Sequence, residues 1–281
     1  MAIRANFMNA MRRIYLATPW RAVRRLYFKL FCDLVRGRKT RASVDGIVYE
    51  LDLSEMIDVC VLLGRYEADM AAGIEKYGRS GMTALDIGAN IGAHTFRLAR
   101  RVGAAGRVYA FEPTDYAFQK LIRNLELNTF NNVVPYKLAL SVDNLRAQRI
   151  RYRSSWPTNG VQRETESVVD FQRLDDVLKE ARSAPISLIK LDVDGNEHSV
   201  LRGGEETLRR DQPIILLEVW GPNFANDNTN PFIWLKARGY RFYDIQTEAE
   251  FPSVEVLRER VSANGKLLDY SFNIVAKMRD L

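Results

Sequence analysis

From Thr83 onward the chain repeats one pattern: a short apolar run, a polar or glycine-bearing break, then a segment whose apolar residues recur every three or four positions. Short apolar runs suit buried strands, and the longer periodic segments suit helices. Strands are expected at Thr83–Ile87, Arg107–Phe111, 133–140, 187–192, 214–219 and 240–245, with a last one at 272–277. Helices are expected at 92–102, 115–128, 174–181, 197–210 and 230–238. Strand and helix in alternation imply a parallel sheet covered on both faces, because each apolar strand has two sides to bury. No helix follows the sixth strand to carry the chain back, so the seventh is expected to run antiparallel. Residues 147–171 break the rhythm and suggest a hairpin, with strands at 148–152 and 167–171. The expected fold is α/β and Rossmann-like, a seven-stranded, mostly parallel sheet with an antiparallel last strand and an N-terminal helical extension.

Ahead of this core, residues 44–53 read as a short strand or hairpin and 55–77 as helical. The expected divisions are a basic arm over 1–41, a cap over 42–80 and the main domain over 81–281. In the arm, Trp20, Val23, Leu26, Tyr27, Leu30, Phe31 and Leu34 fall at helical spacing, with Arg21, Arg24, Arg25 and Lys29 between them. The arm holds eleven Lys and Arg and one acid, Asp33, a net of +10, while the remaining 30 basic and 34 acidic residues give −4. The overall +6 therefore belongs to the arm, and nucleic acid is not an expected partner of the mildly acidic body. A basic amphipathic helix can lie on an anionic membrane; it can equally pack on the domain or on a second subunit of a homo-oligomer. Arginines interrupt the arm too often for a secretory signal, and no stretch has the length of a membrane span. Cys32 and Cys60 lack metal-ligand spacing and read as buried small residues in a reducing compartment. A cytoplasmic location follows, free or at the inner face of the membrane.

The sharpest motif is Leu85-Asp86-Ile87-Gly88-Ala89-Asn90-Ile91-Gly92, which closes a strand and opens a helix. Ligands of open α/β sheets bind at such strand tips. A dinucleotide fingerprint would carry Gly at the position of Asn90, and its pyrophosphate would not favour the charge of Asp86. S-adenosylmethionine carries no phosphate and is cationic at its sulfur and amino group, so a carboxylate here suits it. Glu112, in Phe111-Glu112-Pro113, ends the next strand 20 residues after Gly92, where an acid can accept both ribose hydroxyls. Pro113 turns the chain out of the sheet. His94 reads as a surface or packing residue.

A second acidic group sits at Asp192-Val193-Asp194-Gly195-Asn196-Glu197, with Glu218 at the end of the following strand. Three acids this close need a cation, a donor or a chemical use. A calcium loop is rejected, because the sixth and twelfth positions hold Glu197 and Gly203. Asp192-x-Asp194 resembles the metal-binding acids of sugar-nucleotide glycosyltransferases, and the acids can also form the acceptor side of a methyl-transfer cleft. Asp194, Asn196 or Glu197 can simply cap the next helix. A loop at 154–160 offers Trp156 to stack on a sugar and Asn159 to bond its hydroxyls.

These residues resemble the FkbM family of methyltransferases. The matching pieces are Asp86 to Gly92, Phe111-Glu112-Pro113, Asn124-Leu-Glu-Leu-Asn128, Ala139-Leu-Ser141, Ile189 to Glu197, Val200-Leu-Arg-Gly203 and Pro213 to Glu218. The resemblance covers about residues 44–245 and leaves the arm unexplained. It implies a class I methyltransferase fold, S-adenosylmethionine as methyl donor and O-methylation of a small-molecule or glycan acceptor, a saccharide first; the basic arm extends this to a glycolipid, and no residue is assigned to a metal. It further implies that Asp86, Gly88 and Asn90 hold the methionine part and Glu112 the ribose, with Ala89, Gly92, Pro113 and Asp192 also at the cofactor. The resemblance also implies that Asp192 lies beside the transferred methyl. Asp192 is the first choice of base, with Glu197, Glu218 and His198 in reserve, and Asp194 stands where the family commonly has Glu. The competing readings are a metal-dependent glycosyltransferase and a non-catalytic nucleotide-binding scaffold.

Overall fold

The computed structural model describes residues 21–153, 157–158, 164–263, 266–268 and 270–278. Two compact units are described separately: residues 1–68, 122–129 and 149–167, and residues 69–121, 130–148 and 168–281.

In the first unit the helix Arg21–Val35 precedes an antiparallel hairpin of β1 (Lys39–Val44) and β2 (Ile47–Asp52), joined by Asp45-Gly46, a two-residue turn pair. The hairpin crosses the expected arm boundary at 41. Inward-facing Ile47, Tyr49 and Leu51 are buried on alternate positions of β2. Its backbone is secured by two asparagines one helical turn apart: Asn124 Oδ1 accepts from Glu50 N–H at 2.8 Å, and Asn128 Oδ1 accepts from Val48 N–H at 2.9 Å while its amide donates to Val48 O at 2.7 Å. The helical stretch expected over 55–77 is two helices: Met56–Leu62 in this unit, ending before Gly64, and Ala68–Tyr77, which from Asp69 on belongs to the second unit.

The second unit is built on an eight-stranded sheet. Its strands are β3 (Thr83–Ile87), β4 (Arg107–Phe111), β5 (Val133–Tyr136), β9 (Ile186–Leu191), β10 (Ile214–Trp220), β11 (Arg241–Asp244), β12 (Glu250–Phe251) and β15 (Ser271–Lys277), in the order β12-β11-β15-β10-β9-β3-β4-β5. The pairs from β10 to β5 are parallel, and β15 lies antiparallel between β10 and β11. The seven expected strands are all present, the last one reversed; the addition is β12, a two-residue edge strand. The expected strand 133–140 ends at Tyr136, and β6 (Ala139–Leu140) instead joins β8 (Glu164–Gln172) and β7 (Leu145–Arg153) in a separate three-stranded sheet. The two short strands β13 (Ser262–Ala263) and β14 (Lys266–Leu267) pair with each other.

Side chains alternate across a strand, which divides the core in two. Leu85, Ile87, Ile189, Leu191, Leu217 and Ile274 face one way, toward Leu174, Val200, Leu201, Phe232 and Leu257. Ala84, Val108, Leu188, Leu216 and Val275 face the other way, toward Met70, Ile74, Leu98 and Val102. Two residues further along this second face, the sheet turns polar: Asp86 follows Ala84, Lys190 follows Leu188, Glu218 follows Leu216, and Asn273 stands opposite Glu218 on β15. Among the described residues no helix is long and apolar enough to cross a membrane.

Candidate functional site

Where β3 ends, the chain turns through Gly88, at φ +80°, into the helix Ala93–Val102. A Cβ on Gly88 would stand 1.8 Å from the carbonyl oxygen of Asp192, so only bare backbone fits between the tips of β3 and β9. The turn is pinned to its neighbours: Gly88 and Ala89 N–H donate to Phe111 O at 3.0 and 2.9 Å, and Asp192 N–H donates to Ile87 O at 3.1 Å.

Asp86 is fully buried beneath this loop. Its Oδ2 accepts from the Thr95 hydroxyl at 2.6 Å. Its Oδ1 lies 3.4 Å from Lys190 Nζ, within ion-pair range although not aligned as a hydrogen bond. Asp86, expected at the methionine part of a donor, thus lies buried with Thr95 and Lys190 as its partners. Lys190, 1% exposed, is the centre of the arrangement. Its ammonium donates to Gly88 O at 2.7 Å and lies 3.5 Å from Asp192 Oδ2. A buried ammonium needs paired charge and acceptors, and here the two aspartates and the loop carbonyl supply them. Lys190 is not among the expected site residues, yet a lysine inside a strand covered on both faces is a signal that the sequence carries.

Glu112, at the tip of β4, is buried and reaches back to the loop. Its Oε2 accepts from Asn90 N–H at 3.0 Å, and its Oε1 accepts from Thr114 N–H and Oγ1–H at 2.9 and 2.5 Å. Burial pushes its carboxyl above the usual range, against the Thr114 and Asn90 donors and the Lys190 charge, which pull the other way. Asn90 itself sits at φ +48°, and Pro113 follows Glu112 out of the sheet. His94 is 3% exposed and packs inside.

The acids after β9 separate into distinct places. Asp192 keeps 20% of its side chain exposed at the strand tip. Asp194, at φ +51°, is exposed on the turn. Glu197 is 1% exposed; its Oε1 accepts from Val193 and Gly195 N–H at 3.2 and 3.1 Å, and its Oε2 from the Asn223 amide at 2.7 Å. Glu197, expected as a reserve base, thus braces the loop after β9 to the turn after β10. Glu218 is half-buried on the sheet face shared with Lys190. His198 lies on the first turn of the helix Glu197–Gly203, its pKa lowered by burial and by Arg202 and Arg238. Trp156 and Asn159 lie outside the described residues.

One ammonium thus meets two carboxylates, Asp86 and Asp192, around a glycine loop, and Glu112 is hydrogen-bonded to the same loop through Asn90 N–H. A cluster richer in carboxylates than in ammonium, beside bare glycine backbone, suits a cationic ligand with hydroxyls better than a pyrophosphate. The repulsion expected between Asp192 and its neighbours is relieved by Lys190 for Asp192 and by backbone and amide donors for Glu197.

Residues 86–242 match the family model of the methyltransferase FkbM domain. No curated protein matches the chain. Among solved structures it is similar to M. jannaschii TYW2 in complex with AdoMet, at 14% identity and TM-score 0.42 over 85% of this chain and 84% of that one. It is also similar to an rRNA methylase from Streptococcus thermophilus, at 12% identity and TM-score 0.42 over 74% and 93%. A third likeness is to methyltransferase FkbM from Methylobacillus flagellatus KT, at 17% identity and TM-score 0.36 over 57% and 43%.

Proposed function

Since more than half of it matches the family model, the chain belongs to the methyltransferase FkbM family, and from this premise we propose that it moves a methyl group from S-adenosylmethionine to a hydroxyl oxygen, a saccharide hydroxyl first. The observation that carries the reading is Asp192 at the tip of β9, its carboxylate partly exposed and its carbonyl against the bare backbone of Gly88. S-adenosylmethionine supplies an already activated methyl on a cationic sulfur. With the backbone N–H groups of Gly88 and Ala89 already turned to Phe111 O and that of Asn90 to Glu112, Gly88 and Ala89 would let its methionine part come close, the Asn90 side chain would bond it, and Glu112 would hold its ribose. Gly92 opens the helix behind them. Asp192 would accept the proton of the acceptor hydroxyl, a poor nucleophile until that proton leaves. Orientation of the acceptor supplies much of the rest. Asp194, exposed on the same turn, would contact the acceptor.

Titration calorimetry with S-adenosylhomocysteine is expected to show one-to-one binding, with no heat from UDP-sugars. A glycosyltransferase would reverse that result. With labelled donor, label is expected in a saccharide or glycolipid acceptor. Label in RNA would overturn the saccharide half of the proposal, and binding without any transfer would favour the scaffold.

The raised pKa of Glu112 gives a second test, and its sign differs for folding and for binding. The folded state holds the Glu112 proton more tightly than the unfolded chain does. Its contribution to stability is therefore full below the unfolded value and is lost as pH rises through the raised one. Ribose hydroxyls need the ionised form, so affinity for S-adenosylhomocysteine should fall as pH drops through the raised value, above the range of an ordinary glutamate. Glu112→Gln should remove that pH step and weaken binding about tenfold at neutral pH, the worth of a hydrogen bond to a charged group. A pH step that survives in the variant would assign it to another residue.

A further inference from the structure

The helix Arg21–Val35 divides its apolar residues between two sides. Phe31, Cys32 and Val35 are 1%, 5% and 0% exposed and are packed. Leu26, Leu30 and Leu34 are 60%, 60% and 49% exposed. Residues four apart share one side of a helix, so the three leucines form a ridge away from the packed side. One exposed leucine is ordinary, but a row of three on a helix whose other side is already covered is a contact surface.

The surroundings choose its occupant. Lys29 is exposed beside the ridge, and Arg36, Arg38, Lys39 and Arg41 are exposed beyond its end. Residues 21–41 contain eight Lys and Arg and one acid, Asp33, which Arg36 meets at 2.6 Å. Arg41 and Lys39 reach Glu50 and Asp52 of the β1–β2 hairpin at 3.3 and 4.0 Å, exposed pairs of the kind that hold weakly. The segment cannot be neutralised from within. A second copy would set these cations against each other. An anionic bilayer supplies an apolar phase and negative charge in one plane.

We infer that the Leu26–Leu30–Leu34 ridge lies in the headgroup boundary of an anionic membrane, with Lys29, Arg36 and Arg38 against lipid phosphates. This inference stands on the surface alone and holds whatever the acceptor is. Deleting residues 1–41 is the wrong test, because it would remove the packed Phe31, Cys32 and Val35 and cut β1. Flotation of the full chain should instead compare vesicles of phosphatidylcholine with phosphatidylglycerol against phosphatidylcholine alone. The protein should float with the anionic vesicles, and high salt should weaken the binding. Leu26→Ser/Leu30→Ser/Leu34→Ser should lower partitioning about tenfold or more, with the melting temperature and S-adenosylhomocysteine binding retained. Lys29→Glu/Arg38→Glu should lower it as well and reduce its salt dependence. Equal binding to neutral vesicles, no flotation, or full binding by either variant would overturn the inference. So would light scattering that shows a dimer which the leucine variant dissociates, since a second copy would then be the occupant.

Discussion

Lys190→Met is expected to lower the melting temperature by on the order of 10 °C and to remove measurable S-adenosylhomocysteine binding. Removing one partner of a buried charge cluster costs about 3–5 kcal/mol, and in a chain of this size each kcal/mol moves Tm by roughly 2–4 °C. No discount for solvent applies to the core of the cluster: Lys190 is 1% exposed and Asp86 0%. Without the ammonium, Asp86 is left buried with the Thr95 hydroxyl, and Gly88 O loses its 2.7 Å donor. The loop that frames the crevice is then no longer held from below. Adding Asp86→Asn to Lys190→Met should recover part of the stability, because the orphaned charge is gone, but not the binding, because Gly88 O is still unheld. Thermal melts and calorimetry on the two variants check both halves. If Lys190→Met melts within a degree or two of the parent, the cluster does not carry the site.

Much of the frame was legible because its boundaries carry chemistry. Thr83–Ile87 and Arg107–Phe111 were read residue for residue: Gly81 and Gly88 bracket the first, Gly106 and Pro113 the second. Elements defined only by periodicity were read too long. The helix expected over 197–210 breaks at Gly204 into Glu197–Gly203 and Glu205–Asp211. Two residues at Glu250–Phe251 are too few to show any period. Inside the site, the type of residue was legible but its direction was not. Asp86, Asp192 and Glu197 look alike in sequence, as acids near strand tips, yet one lies beneath the loop, one is partly open and one is turned inward as a brace. Lys190 escaped notice because cations are usually solvated, although its strand is buried on both sides. Several resemblance motifs turn out to be packing features. Asn124 and Asn128 secure β2, and Gly203 lets the Ser141 carbonyl approach to where a Cβ would stand 2.0 Å away.

Asp192→Asn keeps the shape of the side chain and removes its negative charge, so it separates chemistry from architecture. If Asp192 takes the acceptor proton, kcat should fall about 10²–10⁴-fold, the usual contribution of a positioned general base. Affinity for S-adenosylhomocysteine should change by less than about tenfold, because the Gly88 turn and Glu112 stay in place and Lys190 keeps Asp86 and Gly88 O as partners. Stability should move little, since the Asp192 side chain is 20% exposed and water takes up part of the lost pairing. The same substitution distinguishes the reserve: Glu218 shares this face of the sheet, so if it is the base, Glu218→Gln will carry the large loss in kcat and Asp192→Asn will not. A fall in kcat of less than tenfold in both variants would mean that the acceptor needs no carboxylate, and the hydroxyl assignment would give way to an acceptor atom that is already nucleophilic.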